Sequence, residues 1–305
     1  QLVKFESLSV ELKVDMMWVM GVIHFEQDRP DEAEQLLTEA LSIADQYNLN
    51  EARLQLLNAL ARVQIAAAKV EEGISSLEEV VRMAQSLGAK RSELSAENSL
   101  AVTRRSVGQV EEATAGLFRS LSIADELGRK ISQAVAHTNI GVLLWMSGDE
   151  RALSHQQRSH QIFVEASFLR GLGYCIYRML IMANGDQEAV ASLSSELAEL
   201  SKSLTYSKQP IWLAGARLMS AIEEGKIESM INETVALNDA RAEVSLANIH
   251  LEDGPVFPWV YAAQSLERAG RTADISPILT MIDAELDGRY FHMQDELERL
   301  RELTL

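Results

Sequence analysis

Apolar residues recur along this chain at helical intervals. In the stretch from Pro30 to Gln46 they fall at Ala33, Leu37, Ala40 and Ala44 with acids between them, the stripe of an amphipathic helix and not the alternation of a strand. The stripe returns twice without gaps, as Lys69-Val70-Glu71-Glu72-Gly73 running on to Gln85 and as Gln109-Val110-Glu111-Glu112-Ala113 running on to Asp125. Ala33, Gly73 and Ala113 are therefore 40 residues apart, as are Leu37, Leu77 and Leu117 on the same helical face. A second series of small residues, Gly21, Ala61, Ala101 and Gly141, keeps the interval of 40 one helix earlier. Two series predict two helices per repeat, packed closely where the small residues meet the leucines.

Later repeats drift but keep a glycine closing one helix and a polar residue opening the next, at Gly148-Asp149, Asn184-Gly185-Asp186, Gly225-Lys226 and Gly270-Arg271. The count comes to about seven helix pairs. Asp253-Gly254-Pro255 and Phe257-Pro258 predict a sharper break before the last pair. After Asp287-Gly288 the stretch from Arg289 to Leu305 reads as one helix, with Met293, Leu297, Leu300 and Leu303 on a seam that suits either a cap or a dimeric coiled coil. The expected organisation is a helical repeat body over 1–287 and a capping or signalling helix over 288–305.

The pairs Met20-Gly21, Leu60-Ala61, Leu100-Ala101 and Ile140-Gly141, with Ala33/Leu37/Ala40 and Ala113/Leu117/Ser120, resemble the tetratricopeptide repeat. The period of 40 exceeds that family's usual length of roughly 34, and the frequent closing proline is missing. Long repeats of this kind are similar to the arrays of bacterial signalling proteins, kinesin light chain and the spindle-orientation adaptors. The resemblance implies an all-α, right-handed superhelical solenoid whose first helices line a concave groove.

Composition is compatible with that fold. The 305 residues are 47% hydrophobic with 16 glycines and 5 prolines and no long linker, which predicts one folded body. No apolar run is long enough for a membrane span, and the start Gln1-Leu2-Val3-Lys4 lacks the pattern of a signal peptide, so a cytoplasmic location is the expectation. A formal net charge of −17 argues against nucleic acid and anionic membrane surfaces as partners. Basic pairs at Lys90-Arg91, Arg104-Arg105 and Arg129-Lys130 are the places where a local patch could form.

Reactive constellations are not found. Gly225-Lys226 lacks the upstream glycine of a phosphate loop, and Gly171-Leu172-Gly173 follows no strand. The six histidines form no metal-binding pair, Cys175 has no histidine nearby in sequence, and acids such as Glu71-Glu72 sit where a helix dipole favours them. The expectation is a non-enzyme without metal or cofactor.

Recognition then falls to exposed positions on first helices. Asn58 and Asn98 share a register, and Asn139 lies one residue past the next equivalent. An asparagine amide donates and accepts, so a row of them can hold a peptide backbone; peptide-binding tetratricopeptide arrays commonly use groove asparagines here. Arg62 and Arg105, about one turn further on, suit ligand carboxylates. Trp18, Val22, Phe25, Val142, Trp145, Met179 and Met182 form an apolar alternative, with helix packing as the competing reading.

The run Leu297 to Leu305 is similar to the signalling helix leading into diguanylate cyclase domains of the GGDEF class. With the non-methionine start, it implies an excised sensory region: a module binding a peptide, protein or small ligand, controlling a C-terminal output domain, and forming a homodimer through its last helix. The alternatives are a self-contained scaffold or adaptor, and the repeat region of an ATP-dependent transcriptional regulator.

Overall fold

A computed structural model describes residues 9–27, 29–204, 206, 209–244, 256–286 and 293–304. Every regular element among them is helical. Six helices come first: α1 (Val10–Glu26), α2 (Pro30–Gln46), α3 (Asn50–Ala66), α4 (Val70–Leu87), α5 (Lys90–Ser106) and α6 (Val110–Glu126). Then follow α7 (Lys130–Met146), α8 (Ala152–Glu165), α9 (Leu169–Met182), α10 (Gln187–Ser201), α11 (Gln209–Glu223), α12 (Ile227–Ala242), α13 (Val256–Arg268), α14 (Ile275–Leu286) and α15 (Gln294–Glu302). Helices α1 to α14 make seven pairs among the described residues.

The first helices of the first four pairs begin 40 residues apart, at positions 10, 50, 90 and 130. What sets this metre is the connections. Residues Asn48, Ala68, Gly88, Gly108, Gly128 and Gly148 all take positive φ, one left-handed residue every 20 positions, each terminating a helix so that the chain can reverse. Glycine adopts this conformation freely; Ala68, with φ 60°, does so against its Cβ.

The chain divides into two units, one carrying α1–α6 and the other α7–α15. In the first, the second helices bury one seam: Ala33, Leu37, Ala40 and Ala44 on α2, Gly73, Leu77, Val80 and Ala84 on α4, and Ala113, Leu117, Ser120 and Ala124 on α6. The small residues of the first helices meet these seams closely. A Cβ on Gly21 would lie 2.7 Å from Leu37 Cδ2, and Gly116 packs on Ala101. Ion pairs lace successive helices, among them Lys69 Nζ to Glu34 at 2.7 Å, Arg104 to Glu78 at 2.6 Å and the two-pronged grip of Arg119 on Glu97.

The second unit has one continuous core running from Ala134 to Leu300, built around Phe163, Tyr177, Trp212, Phe257 and Trp259. Its seams are partly polar. On α8, Gln156 takes the leucine's part against Gly141 and donates to the Thr138 carbonyl at 2.9 Å, while Ser159 donates to the Ala134 carbonyl at 2.8 Å. A buried ion pair, Arg241 to Glu285 at 2.8 Å, joins α12 to α14. Helix α15 buries Leu297 and Leu300 in this core, and Arg299 grips Glu267 of α13.

Of the predicted break, Asp253-Gly254-Pro255 lies outside the described residues, as do the boundary at 287–288 and His250 and His292. Phe257 and Pro258 belong to the first turn of α13, where proline's missing N–H has no carbonyl to serve. The terminal helix is described over Gln294–Glu302; Arg289 to His292 of the stretch that its sequence implies lie outside the described residues.

Candidate functional site

In the first unit the first helices present Trp18 on α1, Asn58 on α3 and Asn98 on α5, each one 40 residues beyond the last. Trp18 leans on the cluster formed by Val14, Met17 and Phe25 with the α2 seam. Asn58 and Asn98 are half-buried. The Asn58 side-chain oxygen is shielded from water and accepts no hydrogen bond. An acceptor left so costs about 1–3 kcal/mol, which turning the side chain out to meet a ligand N–H would recover.

Arg62, one turn along from Asn58, is exposed, with its guanidinium carbon 5.3 Å from the centre of the Phe25 ring. The structure thus joins two residues that the sequence offered separately, an arginine for carboxylates and an aromatic for apolar contact. Stacking on the ring's negative face steadies the guanidinium.

Exposure differs from expectation at two places. Arg105 is 1% exposed, because α5 is clasped on one side by α4 through Arg104 and Glu78 and on the other by α6 through Glu97 and Arg119. Asn139, in the second unit, is 5% exposed. Being one residue past the equivalent position turns it about 100° around α7; the equivalent position itself is Thr138, which is buried against Ser159 and Gln156 of α8. Trp145, also in the second unit, stands edge-on to Phe257 with ring centres 5.0 Å apart. Its sequence partner lies far along the chain, so no local signal announces the pairing.

Among the basic pairs, Lys90 and Arg104 hold acids. Lys90 lies 3.4 Å from Glu93 and 3.6 Å from Glu126, and these carboxylates push its pKa up. Cys175 is buried, and desolvation pushes its thiol up to about 12, so it stays protonated and unreactive at neutral pH. Among the described residues no three His, Cys, Asp or Glu side chains gather as a metal-binding group, and no helix is long and apolar enough to cross a membrane.

One polar contact had no sequence signal: His137 on α7 and His155 on α8 bring their Nδ1 atoms to 3.0 Å. One ring must donate and the other accept. Burial first, and then the Arg151 charge, lower the pKa of His155, with Asp149 opposing.

No family model matches the chain, and no curated protein matches it in sequence. Solved structures do match in fold. A Rap protein complexed with competence and sporulation factor aligns with a TM-score of 0.67 at 14% identity, over 98% of this chain and 78% of that one. NprR in complex with its cognate peptide NprX gives 0.56 at 13% identity, over 95% and 82%. A signal transduction ATPase with a tetratricopeptide repeat sensor, from Pyrococcus horikoshii, gives 0.60 at 14% identity, over 78% of this chain and 38% of that one. Together with the paired helices and their recurring seams, this likeness establishes the fold as a repeat of tetratricopeptide type.

Proposed function

We propose that this chain is a non-catalytic recognition module that holds an extended peptide or protein segment along the first helices of its first unit. The observation that carries the reading is Asn58, a half-buried side chain whose water-shielded amide oxygen has no partner, on first helices that also present Trp18, Asn98 and the Phe25-stacked Arg62. A peptide N–H supplies the missing donor and Arg62 favours an acidic residue beside it. That the Rap and NprR structures sharing the fold are complexes with competence and sporulation factor and with the peptide NprX agrees with this reading.

A regulatory role, with the bound segment controlling an output domain that follows α15, belongs to the same proposal. The diguanylate cyclase as that output rests on the terminal sequence Leu297 to Leu305 alone. The burial of Leu297 and Leu300 supports α15 as a cap and weighs against it as a free dimerisation seam; it favours, as second reading, a self-contained adaptor.

The test is selection of linear peptides from a phage-displayed random library by the whole chain, followed by calorimetric titration of the best peptide. Asn58→Ala is expected to weaken it by roughly tenfold, and Arg62→Ala to weaken acidic peptides more than neutral ones. Failure to select any peptide, or an affinity indifferent to both substitutions, counts against the proposal.

A further inference from the structure

His137 of α7 and His155 of α8 lie 18 residues apart in sequence, yet their Nδ1 atoms approach to 3.0 Å and their ring centres to 5.1 Å. Both rings are half-buried, so water reaches the pair. The backbones that carry them are locked together. Gln156, next to His155, donates to the carbonyl of Thr138, next to His137, at 2.9 Å, and Ser159 donates to the Ala134 carbonyl at 2.8 Å. The gap between the imidazoles is thus built into the packing of α7 on α8, and a ligand that needs both rings finds them already gathered.

The size of that gap selects among cations. Imidazole nitrogen suits Zn²⁺, Cu²⁺ and Ni²⁺, whereas Mg²⁺ and Ca²⁺ take oxygen. With metal–nitrogen bonds of about 2.0–2.1 Å, two nitrogens on a tetrahedral ion stand about 3.3–3.4 Å apart; two at right angles on a square-planar or tetragonal ion stand about 2.8–3.0 Å apart. The observed 3.0 Å matches the right angle, and of the ions that take it Cu²⁺ binds nitrogen most tightly. Turning each ring about its Cβ–Cγ bond, a soft torsion, aims both Nδ1 atoms at one ion. The ring that donates at Nδ1 moves its proton to Nε2 through water, so both lone pairs face the metal and no proton is lost overall. Burial and the Arg151 charge hold the His155 pKa down, which keeps that ring neutral and able to ligate near pH 7. Asp149 favours positive charge at His155 and Arg151 disfavours it, the two being paired to each other at 2.7 Å.

We propose that His137 and His155 form a binding site for Cu²⁺, the Nδ1 atoms of the two rings occupying adjacent corners of a square ligand plane. Among the described residues no third His, Cys, Asp or Glu joins them, so water takes the remaining corners. The site belongs to the second unit and stands independently of the peptide-holding reading.

The whole chain, without a histidine tag and stripped of metal with EDTA, is titrated with CuSO₄ by calorimetry at neutral pH and followed by electron paramagnetic resonance. A saturable site is expected whose spectrum carries nitrogen couplings from two imidazoles, and Zn²⁺ should bind it more weakly. His137→Gln and His155→Gln should each lose at least about tenfold in affinity and show one imidazole. His160→Gln, whose ring instead meets Glu196, should lose nothing. Arg151→Gln removes the opposing cation and releases Asp149, so binding should tighten by about threefold. Helicity and melting temperature of the metal-free variants separate a lost ligand from lost folding, and Arg151→Gln changes a side chain that is 66% exposed, so its outcome stands even if a histidine variant unfolds. Absence of copper binding, affinity unchanged in both histidine variants, or a wild-type spectrum with a single imidazole overturns the proposal.

Discussion

The two units solve the same packing problem with different materials. In α1–α6 the core is divided among separate clusters made mostly of alanine, leucine and valine, and each seam serves its neighbouring helices. In α7–α15 one cluster threads every pair, and the bulkiest buried aromatics, Trp212, Trp259, Tyr177, Phe163 and Phe257, all belong to it. A nearly one-dimensional array of local clusters can flex one interface at a time. A continuous aromatic core cannot, because every residue shares neighbours with the next. The candidate recognition residues Trp18, Asn58, Arg62 and Asn98 thus sit on the unit whose architecture tolerates local adjustment.

The sharpest way to break this comparison is to remove mass from each core and see how far the damage spreads. Trp212→Ala empties a fully buried site against Gly173 and Tyr206 and should cost about 3–5 kcal/mol in urea unfolding. Its loss of hydrogen-exchange protection is expected across α9–α14. Leu77→Ala, in the cluster with Ala61 and Leu100, should cost about 2–3 kcal/mol, with protection lost only in α3–α5. If Leu77→Ala loosened α1 and α2 as strongly, the first unit would be one cooperative body and the contrast would fail.

The regular half of the fold was legible because it rests on local devices. Small residues, leucines and turn residues repeat at 40, and helix starts at 10, 50, 90 and 130 follow from them. What escaped was depth and long-range pairing. Periodicity gives the face of a helix but not how far a neighbour covers it, so Arg105 read as a surface arginine and is buried. Arg241 and Glu285 are 44 residues apart, and nothing near either announces their ion pair. The spacing of Leu297 and Leu300 is the same for a cap as for a coiled coil; only the aromatic core beneath distinguishes them.

A smaller effect tests the metre of the first unit. Ala68 holds a left-handed turn where the equivalent positions in the next two pairs are Gly108 and Gly148. Ala68→Gly removes the Cβ conflict of roughly 1–2 kcal/mol but loosens the unfolded chain by about 0.4–1 kcal/mol. The balance predicts a net gain of about 0.5–1 kcal/mol. Thermal unfolding at a slow scan rate checks the sign; a loss would mean that the turn's conformation is not what limits this connection.

The smallest expected effect separates the units by pH. His155 in the second unit has its pKa held below the ordinary imidazole value, by burial first and then by Arg151, with its ring against His137. The folded state therefore takes up fewer protons than the unfolded chain as pH falls below about 6.5. Its stabilising contribution is complete above that value and drains away through the depressed folded pKa, as imidazolium replaces the neutral ring and the donor–acceptor match at Nδ1 is lost. Urea midpoints of wild type and His155→Gln between pH 7.5 and pH 5.5, a span of about one unit either side of the free value, should show a shallower decline in the variant. Exchange protection lost on acidification should concentrate in α7 and α8 and spare α3 and α4, which contain no histidine. An unchanged slope would remove the histidine pair from the account.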